Sequence, residues 1–486
     1  MNSKLITYAA VAIAAVATAC SQGVDIDGYV NEQAPVYPDY SGVTVPCNIA
    51  PLNFYVDDPS DMMVHLVTPS DSTWVRASDG DVEIPDKWWR NALDGCKGDS
   101  MRITVCRRID DRWIAYQPFA IAVSPDSISS TLAYRLIPPL YGVWRHMGIY
   151  QRDLEGFDQT AIYENDALSG NCVNCHSFCA RQPDAMLFHL RGKAGATYLC
   201  KPDLQLKLDT KTDSAVSNFV YPYWHPDADH VAFSVNKTFQ VFHNADPNRV
   251  EVLDDASDII VYDIPRNRVL TSPLISMPDR LETFPAFSPD GKTLYFCSAQ
   301  LPERLPEQFR DVRYSLLSIG FDSATGTFAD RVDTLYCATD SSMSVSFPRP
   351  SPDGRWLAAT LHGFGTFSIW HKDADLWMLD LQNGEWQPLT AANSDDVDSY
   401  HSWSGNSRWM VFSSRRENGL YTRPYFTHIG DDGKASKPFL LPQRNPKKYY
   451  ADQMNSFNIP ELVDGRISVD THDVTKWAES PTKKVN

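Results

Sequence analysis

Short apolar runs, each preceded by a polar turn, recur along the second half of the chain. Val231-Ala232-Phe233 follows Trp224-His225-Pro226-Asp227, and Leu294-Tyr295-Phe296 follows Ser288-Pro289-Asp290-Gly291. Trp356-Leu357-Ala358 follows Ser351-Pro352-Asp353-Gly354, and Trp409-Met410-Val411-Phe412 follows Ser404-Gly405-Asn406-Ser407. The earliest, Met186-Leu187-Phe188, follows Pro183-Asp184, and from Pro183 the turns recur at spacings of 43, 63, 63 and 53 residues. Periods of this order imply a solenoid or a radial repeat. Proline sets φ in each turn, aspartate caps it, and glycine takes the positive φ. A further apolar strand completes most units: 259–262, 316–319 and 376–379. Each unit therefore reads as a small antiparallel sheet that cannot bury both faces alone, so neighbours must stack around a ring.

The first part of the chain alternates differently. Met63–Val67, Met101–Val105 and Trp113–Tyr116 are short apolar-polar runs separated by turns such as Ser78-Asp79-Gly80. They predict a small β-sandwich of the Ig-like type over 37–150, with one short helix around Lys87–Leu93. Ile137-Pro138-Pro139 reads as a rigid stop, 151–170 as a linker, and 471–486 as a C-terminal tail, frayed at Lys483 and Lys484.

Ser-Pro-Asp-Gly leading into an apolar strand resembles the repeat of TolB-like (WD40-like, PD40) β-propellers. The resemblance spans about 170–465 and is strongest at 287–296 and 351–358; the unit at 403–412 departs from it. It implies six blades. The expected fold class is thus all-β: a six-bladed TolB-like β-propeller at 171–470, preceded by the Ig-like sandwich. Ser456–Pro460 and Arg466–Val469 are expected to supply strands for closure.

The first nineteen residues change the picture of compartment. Lys4, the apolar stretch Leu5–Val16 and Ala17-Thr18-Ala19 before Cys20 read as an export signal, 1–19. A cysteine after small residues resembles a lipoprotein signal, with Cys20 lipidated and 20–36 a tether. Ala17 stands where such signals most often carry leucine. Ser21 after the lipid site, by the same resemblance, points to the outer membrane of a bacterial envelope, on its periplasmic or surface side. A plain secretory signal is the alternative. A net charge of -17 with no dense basic cluster excludes a nucleic-acid partner. Acidic pairs such as Asp110-Asp111 and Asp395-Asp396 read as solvated loops.

The strongest chemical motif is Cys172-Val173-Asn174-Cys175-His176. This spacing attaches haem covalently in c-type cytochromes: each thiol takes one vinyl group and the histidine lies under the iron. The composition predicts such a pattern about 0.005 times by chance. Zinc, a redox dithiol and a disulfide are the competing readings, though no second pair of zinc ligands stands nearby. One haem c is expected, with Cys172 and Cys175 as thioethers and His176 as proximal ligand. It should hang near a mouth of the central channel, where a second ligand can come from a distant repeat. His189, His225, His362, His401 and Met186 are the candidates, with His189 or His401, or an open sixth site, preferred. Of the remaining cysteines, Cys96 with Cys106 and Cys179 with Cys200 are possible local disulfides.

The expected function is electron transfer, or haem-dependent binding, in a membrane-attached assembly with protein or redox partners. A non-catalytic interaction propeller with a structural haem or disulfide is the second reading. A peroxidase-like haem enzyme is the third; no catalytic residue is assigned.

Overall fold

The computed structural model describes residues 23–139, 146–168, 170–211 and 217–486, without the side chain of Cys175. The molecule is mostly β, and its sheets are set in a propeller-type ring. No helix among the described residues is long and apolar enough to cross a membrane. Cys20 and the signal segment lie outside the described residues.

Five consecutive segments each form an antiparallel four-stranded meander, and the first strand of each lies innermost. These inner strands are β1 (Asn171–Phe178), β2 (Phe219–Trp224), β3 (Arg280–Phe287), β4 (Ser344–Pro350) and β5 (Asp398–Trp403). A sixth sheet is closed by β6 (Ser456–Val463), which pairs with Thr131–Ile137, followed outward by Gly148–Asp153 and Gln159–Glu164. Successive inner strands touch, and β6 touches β1, so the ring is continuous.

The expected turn chemistry is present. In the third repeat turn Ser288 Oγ donates to Asp290 Oδ1 at 2.6 Å, and the amides of Lys292 and Thr293 donate to Asp290 and Ser288 at 3.1 and 3.0 Å. The left-handed position is held by Gly291 and Gly354 at φ +73° and +74°, but by Ala228 and Ser407 in the two divergent turns.

Three sequence boundaries move. Residues 131–164, expected in the sandwich and linker, belong to the sixth sheet of the ring. Within the expected tether, Gly28–Gln33 is a strand running parallel to Arg112–Gln117. The expected tail instead carries a helix, Thr471–Glu479, with a capping box between Asp470 and Asp473. Beyond it, Lys483–Lys484 pairs with the outer strand of the β1 sheet, and Val485 is buried. Of the two expected closing segments, only the one at 456–463 is a strand.

Ahead of the ring lie a seven-stranded and a three-stranded sheet, with a helix, Asp86–Gly95, beside them. Met101, Ile103 and Val105 alternate inward, and Trp89 donates from Nε1 to the Ile49 carbonyl at 2.9 Å. This core is continuous with the ring through Trp409, Val411, Phe426, Phe457 and Leu462.

Closure rests on β6. Phe457 is fully buried with its ring 4.7 Å from that of Tyr134. Phe457→Ala is expected to cost about 3–5 kcal/mol in guanidinium unfolding, because the strand is clamped between two sheets and cannot collapse into the void. A loss below about 1 kcal/mol would show that the two chain ends need not be joined there.

Candidate functional site

All six inner strands bulge at the same place. The register slips by one residue between Val220 and Tyr223, Thr283 and Ala286, Ser346 and Arg349, and Ser399 and Ser402. It slips in the same way between β6 and its neighbour, and between Asn174 and Ser177 in β1. In five strands the bulged residue is left-handed although it is not glycine: Tyr221, Phe284, Phe347, Tyr400 and Ile459 have φ between +47° and +53°. Bulges re-aim side chains. Here the aromatic rings meet one another, at 4.5 Å for Tyr221–Phe284, 4.3 Å for Phe284–Phe347 and 4.4 Å for Phe347–Tyr400. They form a plug across the ring and leave a chamber on either side. Tyr221 and Ile459 border both chambers.

The residue after the bulge is proline in four strands: Pro222, Pro285, Pro348 and Pro460. Proline fits because no ladder amide is needed at that point. The two exceptions are His176 and His401. Both line one chamber, of about 240 Å³. They are 3% and 2% exposed, and neither ring nitrogen of either finds a hydrogen-bond partner. Burial lowers both to about pKa 3, with the Arg135 guanidinium adding for His176 and that of Arg349 for His401. Backbone contacts, with Ile459 for His176 and with Ala358 for His401, both outside hydrogen-bond geometry, oppose the shift without reversing it. Both imidazoles are therefore neutral at physiological pH, with lone pairs available to a ligand.

Two charged groups face the same chamber. Arg349 lies over the rings of Tyr223 and Phe347, 5.2 Å from each centroid, and donates to the Pro348 carbonyl at 2.9 Å. Burial lowers its pKa. Glu461 accepts from the Phe178 amide at 2.9 Å, yet burial raises it to about 7 against the pull of that bond, Arg349 and Arg181. Aromatic side chains such as Trp224, Phe287 and Trp403 complete the wall.

Of the expected site residues, the fold brings together His176 and His401. His189 does not line the chamber; its Nδ1 bonds to Thr197 Oγ1 at 3.0 Å. His225 staples two sheets, donating from Nε2 to the Gly291 carbonyl at 3.0 Å. His362 is fully buried beside His371, and Met186 is in the core. Cys172 is half-buried against a cluster containing Tyr163 and Phe188 and is not part of the chamber wall. The expected local disulfides are not formed: Cys96, Cys106, Cys179 and Cys200 are free thiols. Spacing along the chain does not bring such pairs to bonding distance when each cysteine packs on its own strand or helix end.

A haem fits this chamber in part. Two unpartnered imidazoles, an apolar aromatic wall and the Arg349 guanidinium suit an iron porphyrin and its propionates. Cys172 stands outside the wall that holds His176, so a thioether at Cys172 would need the start of β1 to rearrange.

Arg349, Glu461 and the aromatic plug were not singled out by sequence. Their signal was available in the recurring dipeptides Tyr221-Pro222, Phe284-Pro285, Phe347-Pro348 and Ile459-Pro460. Aligning these places Cys175-His176 and Tyr400-His401 at equivalent points of the ring.

No family model and no curated protein matches this sequence. Among solved structures, the chain is similar to the β-propeller domain of the Trilobed protease from Pyrococcus furiosus, at 12% identity. That match covers 72% of this chain and 96% of the other, with a TM-score of 0.33. An oligogalacturonate lyase in complex with manganese matches at 11% identity over 63% and 72% of the two chains, TM-score 0.35. A DUF4784 family protein from Bacteroides caccae matches at 9% identity over 74% and 95%, TM-score 0.28. At these scores the likenesses carry no argument about chemistry.

Proposed function

We propose that the chain is an exported, lipid-anchored haem protein of the bacterial envelope. It is read as a six-bladed propeller carrying an Ig-like sandwich in front, anchored through Cys20 to the outer membrane. One observation carries the haem reading. The two inner strands that lack proline after the bulge carry histidine instead, and both histidines are buried, neutral and unpartnered in one chamber. His176 and His401 would hold the iron, and Arg349 would meet a propionate. When bound, haem supplies one-electron chemistry. Were both histidines to hold the iron, the haem would supply electron transfer or a structural role in preference to a peroxidase-like reaction. The neutral imidazoles need no proton to leave before they ligate.

A second reading, a binding ring without covalent haem, is favoured by the position of Cys172. The test is a pyridine haemochrome spectrum with intact mass on the full chain, co-expressed with c-type maturation machinery. One haem of added mass is expected, lost in Cys175→Ser and retained in Cys172→Ser. Loss in both variants would establish ordinary two-thioether attachment and require the start of β1 to turn over. Absence of haem from every preparation would leave the chamber as a site for another ligand.

A further inference from the structure

The chamber on the other side of the plug, about 290 Å³, has a different chemistry. Three arginines border it, Arg135, Arg191 and Arg415, and among the described residues the wall contains no aspartate or glutamate. In a chain of net charge -17 this is a marked local inversion. Arg415 is 4% exposed. Its guanidinium lies 3.3 Å from the Trp370 ring centroid and donates to the carbonyls of Ile369 (2.9 Å) and Leu420. Burial lowers it to about pKa 9, so it remains charged at neutral pH. Arg135 donates to the Val173 carbonyl and to Asn458 Oδ1 at 2.9 and 2.8 Å. Arg191 is exposed at the edge.

Amides stand between these cations. Asn174, Asn236 and Asn458 are at least nine-tenths buried, and Gln240 adds a fourth. Asn174 Oδ1 is buried without a partner. Asn236 is held from behind by Asp254 at 2.8 Å, and Tyr314 bonds the other oxygen of that carboxyl at 2.9 Å. The floor is aromatic, formed by Tyr221 and Tyr400 of the plug.

We infer that this chamber binds a carboxylated sugar: guanidinium groups take the carboxylate, the amides take ring hydroxyls, and the tyrosine floor takes the apolar face of the ring. Planar guanidinium pairs with planar carboxylate in a bidentate fork, and amides both donate to and accept from hydroxyls. A compact tetrahedral anion would use the arginines but leave Asn174 and the floor unfilled. The histidines line the other chamber, and the titration below needs no haem, so failure of this inference and failure of the haem reading are distinguishable.

The test is calorimetric titration of the full chain at low salt with glucuronate, glucose and inorganic phosphate. Glucuronate is expected to bind with a Kd below about 1 mM, and glucose to give no saturable heat. Arg191→Ala, an exposed change that leaves the core intact, is expected to weaken glucuronate about tenfold. Arg415→Lys should do the same if it folds, and Arg331→Ala on an outer strand should change nothing. Phosphate binding as tightly as glucuronate would overturn the assignment to a sugar acid. Equal loss in Arg191→Ala and Arg331→Ala, or none in Arg191→Ala, would overturn the chamber itself.

Discussion

A His401→Ala variant of the haem-loaded protein is expected to change from a low-spin to a high-spin ferric spectrum and to gain cyanide binding. The reasoning starts from cost. Burying an imidazole with both nitrogens unsatisfied costs about 1–3 kcal/mol. Four of the six equivalent positions avoid that cost with proline. Two do not, and both face one chamber. A ligand that takes the lone pairs would offset the cost, whereas a packing role alone would be met by proline. His401→Pro sharpens the test, because the ring accepts proline at this point in β2, β3, β4 and β6. That variant should keep the stability of the haem-free protein within about 1 kcal/mol while losing the low-spin signature. An unchanged spectrum in both variants would exclude His401 from the iron. Loss of folding in His401→Pro alone, with the alanine variant high-spin, would correct the equivalence of the bulges and leave the ligand assignment standing.

The repeat turns, the third strands of three units and the helix at Asp86–Gly95 were legible because each depends on neighbours within a dozen residues. The closing strand at 456–463 was legible as apolar alternation. Its partner was not. Thr131–Ile137 alternates like any half-buried strand, and only pairing with residues more than 300 positions away assigns it to the ring and not to the sandwich. Gly28–Gln33 is mostly polar and exposed, and it is a strand because it adds to an edge. The plug was hidden for a different reason. An aromatic residue disfavours positive φ, so nothing local predicts a left-handed Phe284 or Phe347. Tertiary packing overrides the local preference, and the four aromatic residues share the cost by packing their rings on one another. For the motif itself, Cys-x-x-Cys-His was read by its spacing, whereas the structure makes it one instance of a repeated bulge. His176 gained a partner in the same chamber by this, and Cys172 was left against a different cluster.

Phe347 tests the plug by an inversion of a familiar order. Its ring is 2% exposed and wedged between Phe284 and Tyr400. Removing it should cost about 3–5 kcal/mol, since rings held from both sides cannot close the void. In an ordinary strand glycine is worse than alanine by about 0.5–1 kcal/mol, because glycine loses more backbone freedom on folding. At φ +53° the balance reverses. Alanine keeps the clash of Cβ with the carbonyl, worth about 1–2 kcal/mol, and glycine removes it. Phe347→Gly should therefore be the more stable of the two variants, by about 1 kcal/mol in the first guanidinium transition. Phe188, fully buried in a regular strand of the β1 sheet, is the control, and there alanine should be the better substitute. The same order at both sites would mean that the left-handed bulge is not maintained in solution. The plug would then be a fluctuating constriction, and the two chambers would be one channel open to a single ligand.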